Sequence, residues 1–75
     1  MTLDSIPHDV NARICSITSK GSHGLRLMEM GLVPGAPVRV VKTAPLGDPI
    51  QVCLHNYHLA LRRTEAKSIE VTVDD

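Results

Sequence analysis

The chain has 75 residues, a length typical of one small domain that buries only about 60% of its unfolded surface. Eight basic residues balance eight acidic ones, so the chain lacks the positive surplus that displaces counterions from nucleic-acid phosphates. Tyr57 is the only aromatic residue, which argues against a stacking platform for bases and against an aromatic-lined groove for proline-rich peptides. The composition therefore argues against nucleic acid as a partner.

Neither a leader nor a membrane span is expected from the sequence. The first residues carry no basic segment followed by an apolar one, and no apolar run approaches the length of about 18 residues that a span requires. Cys15 and Cys53 belong to no CxxC pair and are expected to be reduced thiols. We predict a cytoplasmic chain with one domain over residues 1–75, which includes an N-terminal arm at 1–9 and a solvated tail at 74–75.

The spacing of apolar residues predicts five short strands and one short helix. Alternation from residue 10 that slips in phase before residue 17 favours a first strand with a bulge or an early end. Ser22 is the expected N-cap of the helix, and a second strand is expected at 36–43. Thr64 is expected to cap a helical turn before a last strand at 68–73. Short strands joined by tight turns favour a mainly β fold that forms a small barrel.

The end of the predicted helix carries a strong local signal. If Gly31 is the left-handed residue just after the helix, Leu27 and Leu32 occupy the two positions that make the apolar contact of a Schellman motif. Pro34 and Gly35 then fit the centre of a type II turn, because proline fixes the first φ and glycine accepts a positive second one. The helix is therefore expected to reverse directly into the second strand.

A β-hairpin is predicted between residues 50 and 61, and its register can be counted. His55 and Asn56 tolerate positive φ and suit a two-residue type I′ turn, which places Leu54 opposite Tyr57. One face of the hairpin is then wholly apolar, and a slip of one residue would destroy that face. The remaining expected pairs are Val52 with Leu59, Ile50 with Leu61, Cys53 with His58, and Gln51 with Ala60.

Four segments resemble, in order and with matching gaps, the FeoA family, named for ferrous iron transport protein A. The segments are RLMEMGLVPG at 26–35, APLGDPI at 44–50, LALRR at 59–63 and AKSIEV at 66–71. Many relatives have glycine at the position of Asn56, which agrees with a demand for positive φ at that position.

The resemblance implies an SH3-like barrel of about five strands with one short helix and a helical turn before the last strand. It implies a cytoplasmic accessory or regulatory protein that binds the cytoplasmic part of FeoB, the ferrous iron transporter with a guanine-nucleotide-binding domain. That partner would recruit the protein to the inner face of the cell membrane. No catalytic residue and no required cofactor are implied. The competing interpretation is a stand-alone small barrel that responds to metal or binds nucleic acid.

Three side chains near the hairpin turn are candidate metal ligands. Cys53 and His58 are expected to face each other on the outer side of the hairpin with His55 at its tip, and thiolate and imidazole donors suit zinc or iron. Three ligands on one exposed hairpin do not close a tetrahedral site, so ordinary polar surface residues are the favoured interpretation. Any weakly bound metal would be adventitious, or shared with a second chain in a homodimer.

Apolar residues outside the expected core are candidates for partner binding. Leu46 follows Pro45 in a stiff loop, where it could contact a partner or fold back over an open end of the barrel. Leu25 and Met28 are expected to form an exposed apolar surface on the helix. Five basic residues could form a stripe toward the partner, although plain solvation is the favoured interpretation for them: Arg26, Arg39, Lys42, Arg62 and Arg63.

Overall fold

The computed structural model describes residues 1–19 and 21–74 of the chain. Within them a short 3-10 helix at Leu3–Ser5 precedes the regular elements. The strands are β1 (Ala12–Ile17), β2 (Pro37–Thr43), β3 (Ile50–Leu54), β4 (Tyr57–Leu61) and β5 (Ile69–Val73), and the helices are α1 (Ser22–Glu29) and α2 (Arg63–Ala66).

The strands form one antiparallel sheet in the order β4-β3-β2-β1-β5. The sheet bends at two irregularities, one between Ile14 and Ser16 in β1 and one between Val40 and Lys42 in β2. Bulges increase the local twist, which lets a single small sheet curl around its own apolar face. The predicted mainly β fold and the predicted bulge in the first strand are confirmed.

The core is aliphatic and lies on the inner face of the curled sheet. Alternate residues of β3 are buried, as expected for a strand with one face toward the core. Leu27 of α1 is buried against the same core, and Met30 packs against it from the helix end. The fully buried large side chains are Leu3, Ile14, Leu27, Leu32, Leu54, Leu61, Ile69, Val52 and Val71.

The N-terminal segment at 1–9 is more than the arm that the sequence predicts. Leu3 and Ile6 are buried in the core. The Val71 amide donates to the Met1 carbonyl oxygen over 2.8 Å, and Thr2 forms a bridge with Glu70. The segment therefore covers the outer edge of β5. In the predicted tail, the Asp74 amide donates to the Asn11 carbonyl oxygen over 2.8 Å, and Asp75 lies outside the described residues.

Both predicted helix caps are wrong. Ser22 is the first residue of α1, and Gly21 with φ 68° takes the N-cap position. Arg62 holds the N-cap position of α2, where its amide donates to Glu65 Oε1 over 2.9 Å, so Thr64 lies inside the helix. The acidic side chain at the third helical position therefore accepts from the N-cap amide, as in one half of a capping box.

The end of α1 has the hydrogen bonds of a Schellman motif. Gly31 has φ 99°, its amide donates to Met28 over 3.0 Å, and the Leu32 amide donates to Leu27 over 3.1 Å. Gly35 has φ 89°, and the Ala36 amide donates to Val33 over 3.0 Å, as a type II turn requires. The chain therefore leaves α1 and enters β2 through two consecutive glycine-dependent turns.

The β3–β4 hairpin has the predicted register in all five pairs, from Leu54 opposite Tyr57 to Ile50 opposite Leu61. Its turn differs from the prediction. A type I′ turn needs positive φ at both central residues, but only His55 (φ 49°) has it and Asn56 does not. The expected demand for positive φ at Asn56 is therefore wrong.

Candidate functional site

The loop between β2 and β3 presents an apolar residue at its tip. Leu46 is 96% exposed, so it does not cover the open end of the barrel, and that alternative is wrong. The loop is closed by a hydrogen bond from the Gly47 amide to the Ala44 carbonyl over 2.7 Å. Arg63 holds it from outside, because its amide donates to Asp48 Oδ1 over 3.1 Å and its Nη1 to the Gly47 carbonyl over 3.3 Å. These hydrogen bonds hold the loop that presents Leu46.

The exposed side of α1 is also apolar. Leu25 is 62% exposed and Met28 is 42% exposed, whereas Leu27 between them is buried. Residues three apart on a helix are neighbours, so Leu25 and Met28 form a continuous apolar surface. Arg26 flanks this surface, and its Nη2 lies 3.8 Å from Glu65 Oε2 in an ion pair whose arginine is exposed and whose glutamate is largely buried.

The single aromatic residue connects α1 to the hairpin. The Tyr57 hydroxyl donates a hydrogen bond to the carbonyl oxygen of Met30, the C-cap residue of α1. A helix end leaves its last carbonyl groups without partners inside the helix, and this hydroxyl satisfies one of them. The orientation of the Leu25–Met28 surface relative to the sheet is thus set by a contact with β4.

The predicted metal ligands are only partly brought together. Cys53 and His58 lie opposite each other on the outer face of β3 and β4. Among the described residues, His55 does not complete a three-donor group with them, and Cys53 Sγ faces the backbone carbonyl of His55 at 3.8 Å. The Gln51 amide donates to His58 Nδ1 over 3.0 Å, which occupies the lone pair of this nitrogen and places the proton of the neutral ring on Nε2. Within residues 1–19 and 21–74, no three His, Cys, Asp or Glu side chains are placed to hold a metal ion.

A shallow pocket on the outer face of the sheet escaped the sequence analysis. It has a volume of about 150 Å³ and is lined by Lys42, Ala44, Pro49, Gln51 and Ala60. The counted register already places Gln51 beside the small Ala60. A small residue opposite a long one leaves space between their side chains, so this pair could have predicted the pocket.

The described part of the chain holds no helix of the length and apolarity that crossing a membrane demands.

Comparison with known proteins gives a consistent result. The model of the FeoA domain family matches residues 1–73. An Fe(2+) transport protein A/Fe(2+) transporter FeoB fusion protein of Porphyromonas gingivalis is 37% identical over 71 residues, which cover 95% of this chain and 8% of the fusion protein. The chain thus spans only a small part of that curated relative.

Two solved structures share the fold over almost the whole chain. Iron(II) transport protein A of Clostridium thermocellum has a TM-score of 0.93 and 41% identity, over 97% of this chain and 45% of that one. FeoA of Stenotrophomonas maltophilia, complexed with zinc, has a TM-score of 0.84 and 34% identity, over 96% of this chain and 89% of that one. That protein is described as a prokaryotic SH3 domain protein and as a suggested activating factor of ferrous iron transport. The match of the family model over residues 1–73 shows that this chain belongs to the FeoA domain family.

Proposed function

We propose that this chain is a cytoplasmic accessory and regulatory domain of ferrous iron uptake. It binds the cytoplasmic part of a FeoB-type transporter through protein contacts, catalyses no reaction, and reaches the inner face of the membrane only through that partner. The observation that supports this most strongly is the Porphyromonas gingivalis fusion, in which a relative of this chain and a FeoB transporter form one polypeptide. Fusion holds two domains at an effective concentration on the order of millimolar, so that even weakly binding domains stay in contact.

The contact surface is formed by the apolar residues that the fold leaves exposed: Leu46 with Pro45 on the loop, and Leu25 with Met28 on α1. Burying a leucine side chain stabilises a complex by about 1.5–3 kcal/mol before ordering costs. Leu46 offers nearly its full side chain, and its loop is already held by Arg63. Little conformational entropy is therefore lost when a partner covers it.

Co-purification with full-length transporter and with its isolated nucleotide-binding domain tests the proposal, with GTP hydrolysis measured in both. Leu46→Asp and Leu25→Asp should abolish binding and leave the thermal unfolding midpoint nearly unchanged, because both side chains are exposed. Val73→Asp is the matched control, since it places the same charge at an exposed apolar site on β5. Wild-type protein that neither binds the transporter nor changes its GTP turnover would contradict the proposed function.

The zinc complex of the Stenotrophomonas protein raises the question of a metal site in this chain. The two donors that face each other, Cys53 and His58, do not fit a closed structural site, which needs four ligands. We therefore propose only weak binding of a divalent transition metal at this pair, completed by water or by a second copy of the chain.

A further inference from the structure

One edge of the sheet is covered by another segment of the chain, and the other edge is open. The outer edge of β5 is covered, because Val71 donates to Met1 and Thr2 bridges to Glu70. The other edge is β4, and within the part of the chain that the structure describes it pairs only with β3. Sheet edges commonly carry protective charges or prolines, yet β4 reads Tyr-His-Leu-Ala-Leu and has neither a proline nor a lysine or carboxylate.

The hairpin register shows which backbone groups of β4 face outward. A two-residue turn makes Leu54 and Tyr57 a hydrogen-bonded pair, and such pairs alternate with non-bonded ones along the ladder. The amides and carbonyls of His58 and Ala60 therefore point away from β3. Both residues are exposed, and among the described residues no backbone or side-chain group bonds to these four groups.

The pocket on the outer face reaches this same edge, since Ala60 is one of its lining residues. A strand added antiparallel to β4 would place one side chain opposite Ala60 on the outer face, and alternate residues would share that face. The methyl group of Ala60 is too small to block this side chain, which could lean over it toward Pro49 and Gln51. The side chain opposite Ala60 would therefore lie at the rim of the pocket.

The charges around the pocket select the kind of side chain. Strands β2, β3 and β4 carry Arg39 and Lys42 but no aspartate or glutamate. The Arg39 Nε atom is buried and has no hydrogen-bond partner within the described residues. Lys42 closes the pocket on β2, one strand beyond Gln51 and three strand spacings, about 14 Å, from an added strand. Its ammonium group therefore attracts a ligand carboxylate directed across the sheet without contacting it.

We propose that the free edge of β4 binds an extended acidic segment of the transporter as an additional antiparallel strand. Its backbone pairs with His58 and Ala60, and a glutamate opposite Ala60 lays its stem on Ala60 with its carboxylate toward the Gln51 amide, on the side from which Lys42 attracts it. Strand addition of this kind takes affinity from main-chain hydrogen bonds and specificity from pockets for alternate side chains. The identity of the partner rests on the proposed function, while the edge and its acidic preference rest on the geometry alone.

Titration of the ¹⁵N-labelled full chain with a capped peptide, Thr-Val-Glu-Val-Thr, tests the edge without the transporter. We expect shifts and slower hydrogen exchange at the amides of His58 and Ala60. The same peptide with glutamine should bind roughly twofold more weakly at low ionic strength, the effect of losing the attraction between a carboxylate and an ammonium group that do not touch, and Lys42→Ala should reduce that difference. Ala60→Pro should abolish binding, because it deletes an outward amide that β3 does not use. Thr72→Ala, exposed on β5, is the control and should change nothing.

Three results would overturn the proposal. The first is an absence of shifts on β4, and the second is equal binding of the glutamate and glutamine peptides. The third is line broadening of the β4 amides that rises with protein concentration without peptide, which would identify a second copy as the occupant. Co-purification separates this proposal from the proposed function. Ala60→Pro that still binds transporter defeats only the edge, whereas wild-type protein that fails to bind defeats the function.

Discussion

The hydroxyl of Tyr57 donates to the carbonyl oxygen of Met30, so the only aromatic side chain of the chain joins the start of β4 to the end of α1. This contact connects a strand whose register is fixed by apolar pairing with a helix that carries the Leu25–Met28 surface. It acts through one polar atom at the edge of the core. The strength and the position of this link can therefore be tested by removing that atom.

Tyr57→Phe should lower the free energy of unfolding by about 1 kcal/mol, the net value of one hydrogen bond whose acceptor water can reach. For a domain of this size the thermal midpoint should fall by roughly 4–8 °C. Calorimetry or thermal circular dichroism measures the change. Thr72→Ala, a small exposed substitution on β5, is the control and should stay within about 0.5 kcal/mol of wild type. An unchanged midpoint for Tyr57→Phe would show that the hydroxyl does not hold the helix end.

Gly31→Ala should destabilise the fold more than Gly35→Ala, although both glycines have φ near 90°. A Cβ at Gly35 meets no atom within 4 Å, so that variant reports the cost of left-handed φ alone, about 1–2 kcal/mol. A Cβ at Gly31 would lie 2.9 Å from the Tyr57 hydroxyl oxygen, which adds a steric cost.

The two costs at Gly31 can be separated by a double-mutant cycle measured by urea unfolding. In the Tyr57→Phe background the crowded oxygen is gone and the next ring atom is 4.0 Å away. Gly31→Ala should then cost about as much as Gly35→Ala. Additive effects of Gly31→Ala and Tyr57→Phe would mean that the two residues do not interact.

Gly24→Ala tests a conflict between helix propensity and packing. Inside an exposed helix this substitution would stabilise by about 1 kcal/mol. At Gly24, however, the new Cβ would lie 2.5 Å from the backbone carbonyl oxygen of Ser19, which a side-chain rotation cannot relieve. We expect a net loss of stability in urea unfolding. A gain would show that the segment before α1 shifts at little cost.

The sequence predicts the register of the β3–β4 hairpin, though not its turn, because apolar residues recur at every second position of both strands and a slip of one residue would expose the apolar face. The helix end is predictable for a similar reason, since glycine, leucine and proline stand at fixed offsets. Local patterns of this kind need no information from distant parts of the chain.

The remaining features depend on contacts that local patterns do not contain. Leu3 and Ile6 show no periodicity, and their burial depends on the neighbouring β5 edge, 60 or more positions away in sequence. The pocket at Ala60 exists because the loop with Pro49 turns beside the strand. Cys53 and His58 lie opposite each other as the counted register predicts, but the dihedral angles of the turn that carries His55 differ from the type I′ prediction.

Leu27 and Leu25 provide a comparison within one helix. Leu27→Ala should cost about 2–5 kcal/mol, because its side chain is buried in the core and the protein is too small to absorb the cavity. Leu25→Ala removes the same atoms from an exposed position and should change stability by less than about 0.5 kcal/mol. Chemical unfolding measures both. Equal losses would mean that Leu25 is covered in solution by another part of the protein or by a second copy.

Zinc binding should be weak and should depend on the Cys53–His58 pair. A cross-strand pair that is not hydrogen-bonded holds its Cβ atoms about 4.5–5.5 Å apart, a spacing at which a thiolate and an imidazole can share one ion. Two protein ligands leave half of a tetrahedral site to water, so we expect affinity far below that of a four-ligand structural site.

His58→Ala should remove the heat of zinc binding in calorimetry at neutral pH. His23→Ala, an exposed histidine on α1, is the matched control and should leave that heat unchanged. Equal heats in the two variants would place the zinc elsewhere, and a dimer that forms only with zinc would show that a second copy supplies the missing ligands.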